Sequence, residues 1–379
     1  MAFKFLSGEQ PIIKVLHEHG VSFRDKCMSY IPCLQLPLTV RAGHVTINIL
    51  PDDVLLHFFF FDRSRYLKDA DQRPVSYLSW RWHSWRWYRL VHVCRRWRSV
   101  VFASPKFLDL RLVCGPRTRV QHTGIWPLLP IILTDTINSP IPRDYDFDAA
   151  IVHHTRVCEI NLHLTRSQLL RLASAMQEQC LALMHLRLDF AHFYSYPYPA
   201  PALPDGFLGG SAPRLQTLEL DSIPFPALPK LLLSATDLVR LTLLNIPHAG
   251  YFSPEVIVTS LAVLANLRSL TIEFTFRRSS PEERRPLTPT LACTVLPALT
   301  RFQFLGVTEY LEDFVARIDA PFLDSISITF FHRLIFDARD TPQLAQFMRR
   351  TARLETANEG HVNSGYYGVQ VEFPTNTDV

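Results

Sequence analysis

Leu215-Gln-Thr-Leu-Glu-Leu220, Leu238-Val-Arg-Leu-Thr-Leu243 and Leu267-Arg-Ser-Leu-Thr-Ile272 carry one pattern three times: apolar, two free positions, apolar, one free position, apolar. The last two apolar positions lie two residues apart, the period of a strand with one buried face. Upstream, the same pattern starts at Val157 (with Ile160 and Leu162) and at Leu183 (with Leu186 and Leu188). Downstream it starts at Leu299 (Phe302, Phe304) and Leu323 (Ile326, Ile328). Successive starts are 26, 32, 23, 29, 32 and 24 residues apart, enough for a strand and a helical return.

The stretches between strands read as helices. Ser167–Gln179 puts Leu169, Leu170, Ala173 and Met176 on one face. Ser253-Pro254-Glu255 supplies a capping serine, a first-turn proline and an acid ahead of Val256, Ile257, Leu261 and Leu264, and Thr341-Pro342-Gln343 repeats that start ahead of Leu344 and Phe347. Strand then helix, repeated, means parallel strands joined by crossovers. No single unit buries its apolar face alone, so the units stack. The spacing matches the upper part of the leucine-rich-repeat range. The predicted architecture is an irregular leucine-rich-repeat solenoid over 157–373, with 113–156 as a linker or first solenoid cap and 374–379 as a tail. The asparagine that follows the strand in regular repeats is mostly missing, and Asn245 sits one place from where it belongs.

The region before the repeats differs. In Leu50-Pro51-Asp52-Asp53-Val54-Leu55-Leu56-His57-Phe58-Phe59, the proline suits a first helical position and the two aspartates face the positive end of the helix dipole. Val54, Leu55, Phe58 and Phe59 then form one oily stripe, predicting a short helix over 51–60. Residues 63–86 read as a loop with a helical end. Leu90, Cys94, Trp97 and Val101 fall on one stripe of a second helix over 87–102, followed by an alternating strand at 108–113. Residues 1–46 show no period and read as an extension.

Taken in order, Leu50–Phe58 and Trp87-Tyr-Arg-Leu-Val-His-Val-Cys-Arg-Arg-Trp-Arg-Ser-Val-Val-Phe-Ala-Ser-Pro105 resemble the F-box, particularly of fungal members. The resemblance covers about residues 48–112. It implies a mixed fold, a small helical F-box domain over 47–112 ahead of the α/β solenoid, and a role as substrate receptor in a Skp–cullin–F-box ubiquitin ligase. On that resemblance Leu50, Pro51, Val54, Leu55, Phe58, Val93, Cys94 and Trp97 contact a Skp-family adaptor, and through it a cullin. The two family segments are normally close, whereas here Arg63 to Trp85 intervenes, with Trp80, Trp82 and Trp85 in it. The rival is a leucine-rich interaction scaffold whose F-box no longer works and which has no ligase role.

The strand pattern also selects positions for a protein substrate. Residues between and beside the last two apolar positions point away from the core. That puts Asn161, Arg187, Glu219, Thr242, Thr271, Gln303 and Ser327 on the expected concave face. Their mixed polarity suits a protein partner better than a polyanion.

Other chemistries find little footing. Arg63–Arg98 holds ten Lys/Arg against two Asp with five tryptophans, a mixture that suits base stacking. The whole chain, however, has a formal net charge of only +4, and no second basic surface is evident, so no nucleic-acid partner is expected. Cys27 and Cys33 lack metal-ligand spacing and His153-His154 has no companion pair, so no metal or other cofactor is expected. There is no Gly-x-Ser-x-Gly, Walker, Gly-x-Gly-x-x-Gly or His-Glu-x-x-His motif, and the protein is not expected to be an enzyme. Arg277-Arg278-Ser279-Ser280-Pro281-Glu282-Glu283-Arg284-Arg285 reads as a solvated charge cluster, and Thr377-Asp378-Val379 as a simple tail. With 379 residues, 47% hydrophobic and 20% charged, the chain is globular material for two or three domains. Its seven scattered cysteines, and the absence of a secretory signal or a spanning run, predict a cytoplasmic or nuclear protein without a membrane partner.

Overall fold

The computed structural model describes residues 49–71, 90–114, 129–134, 152–190, 200–275, 293–331, 341–351, 361–365 and 368–373, with 62–71 and everything from 361 onward described by backbone alone. The extension 1–46, Trp80–Trp85, the charge cluster 277–285 and the tail 374–379 lie outside these residues. The chain divides into two compact units, Met1–Leu110 and Arg111–Val379.

In the first unit, α1 spans Asp52–Asp71 and α2 spans Arg95–Ala103. α1 is a helix of 20 residues rather than the short one over 51–60, and it runs into the segment expected to be a loop. The expected second helix is divided. A helical turn ends at Val91, His92 and Val93 form a turn, and Cys94 becomes the N-cap of α2, its Sγ accepting the Trp97 N–H at 3.4 Å. Arg98 Nε donates to the Val91 carbonyl at 2.9 Å, satisfying the end of the preceding turn. The core here is Leu55, Phe59, Val91, Trp97, Val100 and Val101, with the Phe59 and Trp97 ring centroids 4.8 Å apart. Arg96 joins the two helix starts, donating through Nε to Asp52 at 2.8 Å and through its terminal nitrogen to the Leu50 carbonyl. The strand expected at 108–113 does not form as such: residues 105–109 are turns, Asp109 has φ of 45°, and pairing begins only at Leu112.

The second unit holds β1 (Leu112–Cys114), β2 (Ile131–Thr134), β3 (Val157–Leu164), α3 (Arg166–Ala175), β4 (His185–Phe190), β5 (Thr217–Asp221), α4 (Leu228–Leu232), β6 (Arg240–Ile246), α5 (Pro254–Leu261) and β7 (Ser269–Phe274). It continues with β8 (Thr294–Val295), β9 (Arg301–Gly306), α6 (Thr308–Ala316), β10 (Ile318–Asp319), β11 (Ser325–Phe331), α7 (Pro342–Arg350), β12 (His361–Gly365) and β13 (Gly368–Phe373). β1-β2-β3-β4-β5-β6-β7-β9-β11 are nine neighbouring parallel strands in chain order, and β13 and β12 follow. Within these nine each strand lies beside the previous one of the series, while β8 and β10 pair with each other separately, so this is an α/β solenoid-like fold. All seven strands expected from the repeat are present. Two more precede them: β1 overlaps the end of the strand expected at 108–113 and reaches into the segment read as linker or cap, and β2 lies within that segment, which therefore contributes to the sheet. The final strand departs from the expected parallel order: β13 pairs antiparallel with β11, and β12 pairs antiparallel with β13 as a hairpin.

In six of the seven patterns the opening leucine does not sit in a strand, whereas Val157, which opens the first, lies in β3. Leu183, Leu215, Leu238, Leu267, Leu299 and Leu323 each donate their backbone N–H to the carbonyl three residues earlier, closing a turn ahead of the strand. The residues at those earlier positions, Cys180, Ala212, Ala235, Leu264, Leu296 and Ala320, are all buried. The repeat is thus longer than the six residues that reveal it. Each buried leucine contributes roughly 1.5–3 kcal/mol of apolar burial.

Helices fill one side of the sheet. α4 and α5, α5 and α6, and α6 and α7 pack in succession. In β9, phenylalanines replace leucines, and α6 meets them with aromatic rings: Phe302 stacks on Phe314 at 5.6 Å and Phe304 on Tyr310 at 5.9 Å. The last residue of that strand is Gly306, where a Cβ would come within 2.7 Å of the Phe304 ring and 3.0 Å of Phe274. α3 is shorter than expected. Leu169, Leu172, Ala173 and Met176 are buried, while Leu170, expected on the same face, is 49% exposed. Its cap is Thr165, with Gln168 completing a capping box. Ser253 caps α5 as expected, accepting from the Val256 N–H at 3.4 Å. Thr341 does not cap α7: the Gln343 and Leu344 amides donate to Glu312 of α6, each at 2.9 Å.

Candidate functional site

From β4 to β11, strand residues alternate between buried and half-exposed or exposed, so one sheet face is covered and the other is not. Strand register decides which uncovered side chains are neighbours. Asn161 pairs with Arg187, Arg187 with Glu219, Glu219 with Thr242, Thr242 with Thr271, Thr271 with Gln303, and Gln303 with Ser327. The seven positions singled out by the repeat thus form one continuous row across seven neighbouring strands, about 29 Å at ~4.8 Å per strand. Gln303 is exposed; Arg187, Glu219, Thr242, Thr271 and Ser327 are half-buried.

Asn161 is a correction. It lies in the row but is only 8% exposed, because β1, β2 and most of β3 are buried on both faces at this end of the sheet. It is not available to a partner as the other six are.

Charge concentrates beside the row. Arg187 reaches Asp189 through Nε and a terminal nitrogen at 3.1–3.3 Å and Glu219 at 3.1 Å, so one guanidinium serves two carboxylates. Burial raises the pKa of Asp189 and of Glu219, and the Arg187 charge opposes both shifts. Asp221 accepts from Ser222 Oγ and from Asn245 Nδ2, each at 2.9 Å. Asn245 sits at φ 49°, where the β6–β7 register shifts, a conformation that asparagine tolerates better than most residues. Glu273 accepts from Gln303 Nε2 at 2.8 Å, and burial followed by the nearby Asp221 charge raises its pKa.

At the strand starts the balance differs. Glu159, 3.9 Å from Arg111, is pushed up to about 7 by burial, which the Arg111 charge only partly opposes. His185 is lowered by burial and then by the Arg111 and Arg240 charges. Asp189, Asp221 and Glu273 were absent from the sequence-based set, although each lies two residues beyond a residue that was in it. Continuing the strand period by one step finds them.

The eight side chains expected to form an oily partner surface in the first unit divide. Leu55 and Trp97 are corrections: they are 0% and 9% exposed and belong to that unit's own core, where Trp97 lies against Phe59. Pro51 is exposed, and Leu50, Val54, Phe58, Val93 and Cys94 are half-buried. Ile49, Phe61 and Phe107 add apolar surface at 68%, 65% and 42% exposure.

Among the described residues, no group of three or more His, Cys, Asp and Glu side chains is arranged to hold a metal ion. No described helix is long and apolar enough to cross a membrane. No protein-family model matches the sequence, and no curated protein matches it.

Proposed function

We propose that the protein is a substrate-recognition subunit of a Skp–cullin–F-box ubiquitin ligase. The first unit binds a Skp-family adaptor through Leu50, Pro51, Val54, Phe58, Val93 and Cys94. The uncovered sheet face of the second unit, along Arg187, Glu219, Thr242, Thr271, Gln303 and Ser327, binds a protein substrate. The chain does no bond chemistry itself. It holds a target lysine near the charged conjugating enzyme, raising the effective concentration of the two reactants.

The observation that carries this reading is the surface of the first unit. Its core is filled by Leu55, Phe59, Val91, Trp97, Val100 and Val101, yet a second set of apolar residues, with Ile49, Phe61 and Phe107, stays accessible. Such a surface on a small helical unit invites a partner.

The test is co-purification of the full chain with a Skp-family adaptor, comparing wild type with Leu50→Ala/Pro51→Ala. Stoichiometric binding by the wild type that the double substitution abolishes, with unchanged circular dichroism, is the expected result. A folded wild type that binds no adaptor overturns the ligase reading. The burial of Leu55 and Trp97 favours the second reading, an interaction scaffold with no ligase role, because two of the eight expected contacts are already used internally. That reading predicts partners for the sheet face and none for the first unit.

A further inference from the structure

The uncovered face is polarised along its strands. Asp189 pairs in register with Asp221 near the strand ends, and Glu273 lies two strands further on. At the strand starts, Arg240 pairs with Ser269 and Ser269 with Arg301, both arginines being exposed. Arg240 and the position beside Asp221 are four residues apart on β6, about 13 Å. A cationic margin therefore faces an anionic one, with the small side chains of Thr242 and Thr271 between them.

The anionic margin is under-neutralised. Arg187 is engaged by Asp189 and Glu219. Asp221 and Glu273 are held by neutral donors, and among the described residues no cation pairs with either. α6 meets the inward rings of β9 on the opposite side, and the outward strand residues from β4 to β9 are half-buried or exposed among the described residues.

We propose that the face from β4 to β9 docks a protein segment whose lysine or arginine side chains lie over Asp221 and Glu273, its backbone passing along Thr242 and Thr271. This deepens, and rests on, the reading of the row as the partner-binding surface. Carboxylates that have only neutral donors gain a charge-assisted bond from an incoming ammonium or guanidinium. Arg240 and Arg301 repel the same cations at the other margin and so fix which side of the segment faces which. The whole chain carries a formal net charge of +4, so its overall charge does not attract a cationic segment. The attraction proposed here is local to this margin.

The test uses fluorescence anisotropy with the full-length chain and two labelled peptides of about twelve residues, long enough to cross the row. One alternates lysine and serine; the other alternates glutamate and serine. The lysine peptide binds, and binding weakens by about tenfold or more with Asp221→Asn/Glu273→Gln and on raising salt from about 50 to about 500 mM. Thr242→Trp/Thr271→Trp, which blocks the middle of the face by bulk without adding charge, abolishes binding. Circular dichroism shows that both variants are folded. A wild type that does not bind the lysine peptide overturns the proposal, as does equal binding of the glutamate peptide or an Asp221/Glu273 variant that binds as wild type. Of these, a block by the threonine variant without an effect of the carboxylate variant leaves the face a partner surface of other chemistry. No effect of either variant removes the partner surface as well, and the adaptor co-purification reads the first unit independently.

Discussion

Glu312 offers the sharpest test of how the repeats hold one another. Its carboxylate is 8% exposed and accepts the Gln343 and Leu344 amides at 2.9 Å each, from a helix 31 and 32 residues further along the chain. These are first-turn amides, which have no partner within α7. Replacing Glu312 by alanine leaves two amides unsatisfied, at about 1–3 kcal/mol each. It also removes a negative charge from the helix start, worth about 0.3–1 kcal/mol. Water reaches a helix end more easily than a core, so the lower part of the range applies and the expected loss is about 3 kcal/mol. Glu312→Gln keeps one accepting oxygen and should lose about 1 kcal/mol. With a urea slope near 3 kcal/mol per M, the alanine variant shifts the midpoint by about 1 M. Because stacked repeats open from their weak joints, amide exchange in α7 should rise first. The companion is Thr341→Val. Thr341 occupies the sequence position of a cap, but its hydroxyl is buried without a partner, so removing it is neutral or stabilising by up to about 1 kcal/mol. An alanine at 312 within about 0.5 kcal/mol of wild type, with α7 amides as protected as before, would refute the reasoning; so would a large loss at Thr341→Val.

Three further outcomes follow from burial. Glu159 has a folded pKa of about 7, above its unfolded value, so the folded state holds the proton more tightly. Stability then falls as pH rises from about 4.5 to about 7 and stays reduced above, by roughly 2–4 kcal/mol. Glu159→Gln should match wild type near pH 4.5 and exceed it at pH 8 in thermal unfolding, and a variant with the wild-type pH slope rejects the assignment. Leu267→Ala removes a fully buried turn leucine and should cost about 2–5 kcal/mol in urea unfolding, whereas Leu170→Ala, at an exposed site, should cost under about 1. Gly250→Ala would put a Cβ 2.8 Å from the Pro224 backbone and should lower the unfolding midpoint by the equivalent of about 1–3 kcal/mol.

Residues 157–331 were the most legible part of the chain. Leu218 and Leu220, with their counterparts in the other repeats, declare strands because a period of two with one buried face is a local property. The same period placed Arg187, Glu219, Thr242, Thr271, Gln303 and Ser327 on the opposite face. Register then made them one row, which separate strands cannot specify. Ile131–Thr134 escaped notice because, buried on both faces, it does not alternate, and the strand expected at 108–113 reached only the first two residues of Leu112–Cys114. The first unit was read less well. Cys94 fits a helical stripe by spacing alone, and only the turn before it makes it a cap. Leu55 and Trp97 look identical in sequence to apolar residues that stay accessible, because which apolar side chain meets another depends on how two helices cross.

What this sequence determined unaided was therefore periodic: the repeat, the side of each strand that turns inward, and the polar character of the other side. Tertiary structure alone decided the pairings between distant residues: Glu312 with α7, Arg187 with Glu219, Asn245 with Asp221, and the antiparallel hairpin that follows the parallel strands. The physical reason is range. Period and propensity act over a few residues along the chain, whereas hydrogen bonds, ion pairs and burial act through space, and folding brings 24 to 32 residues of chain back on itself before those contacts exist.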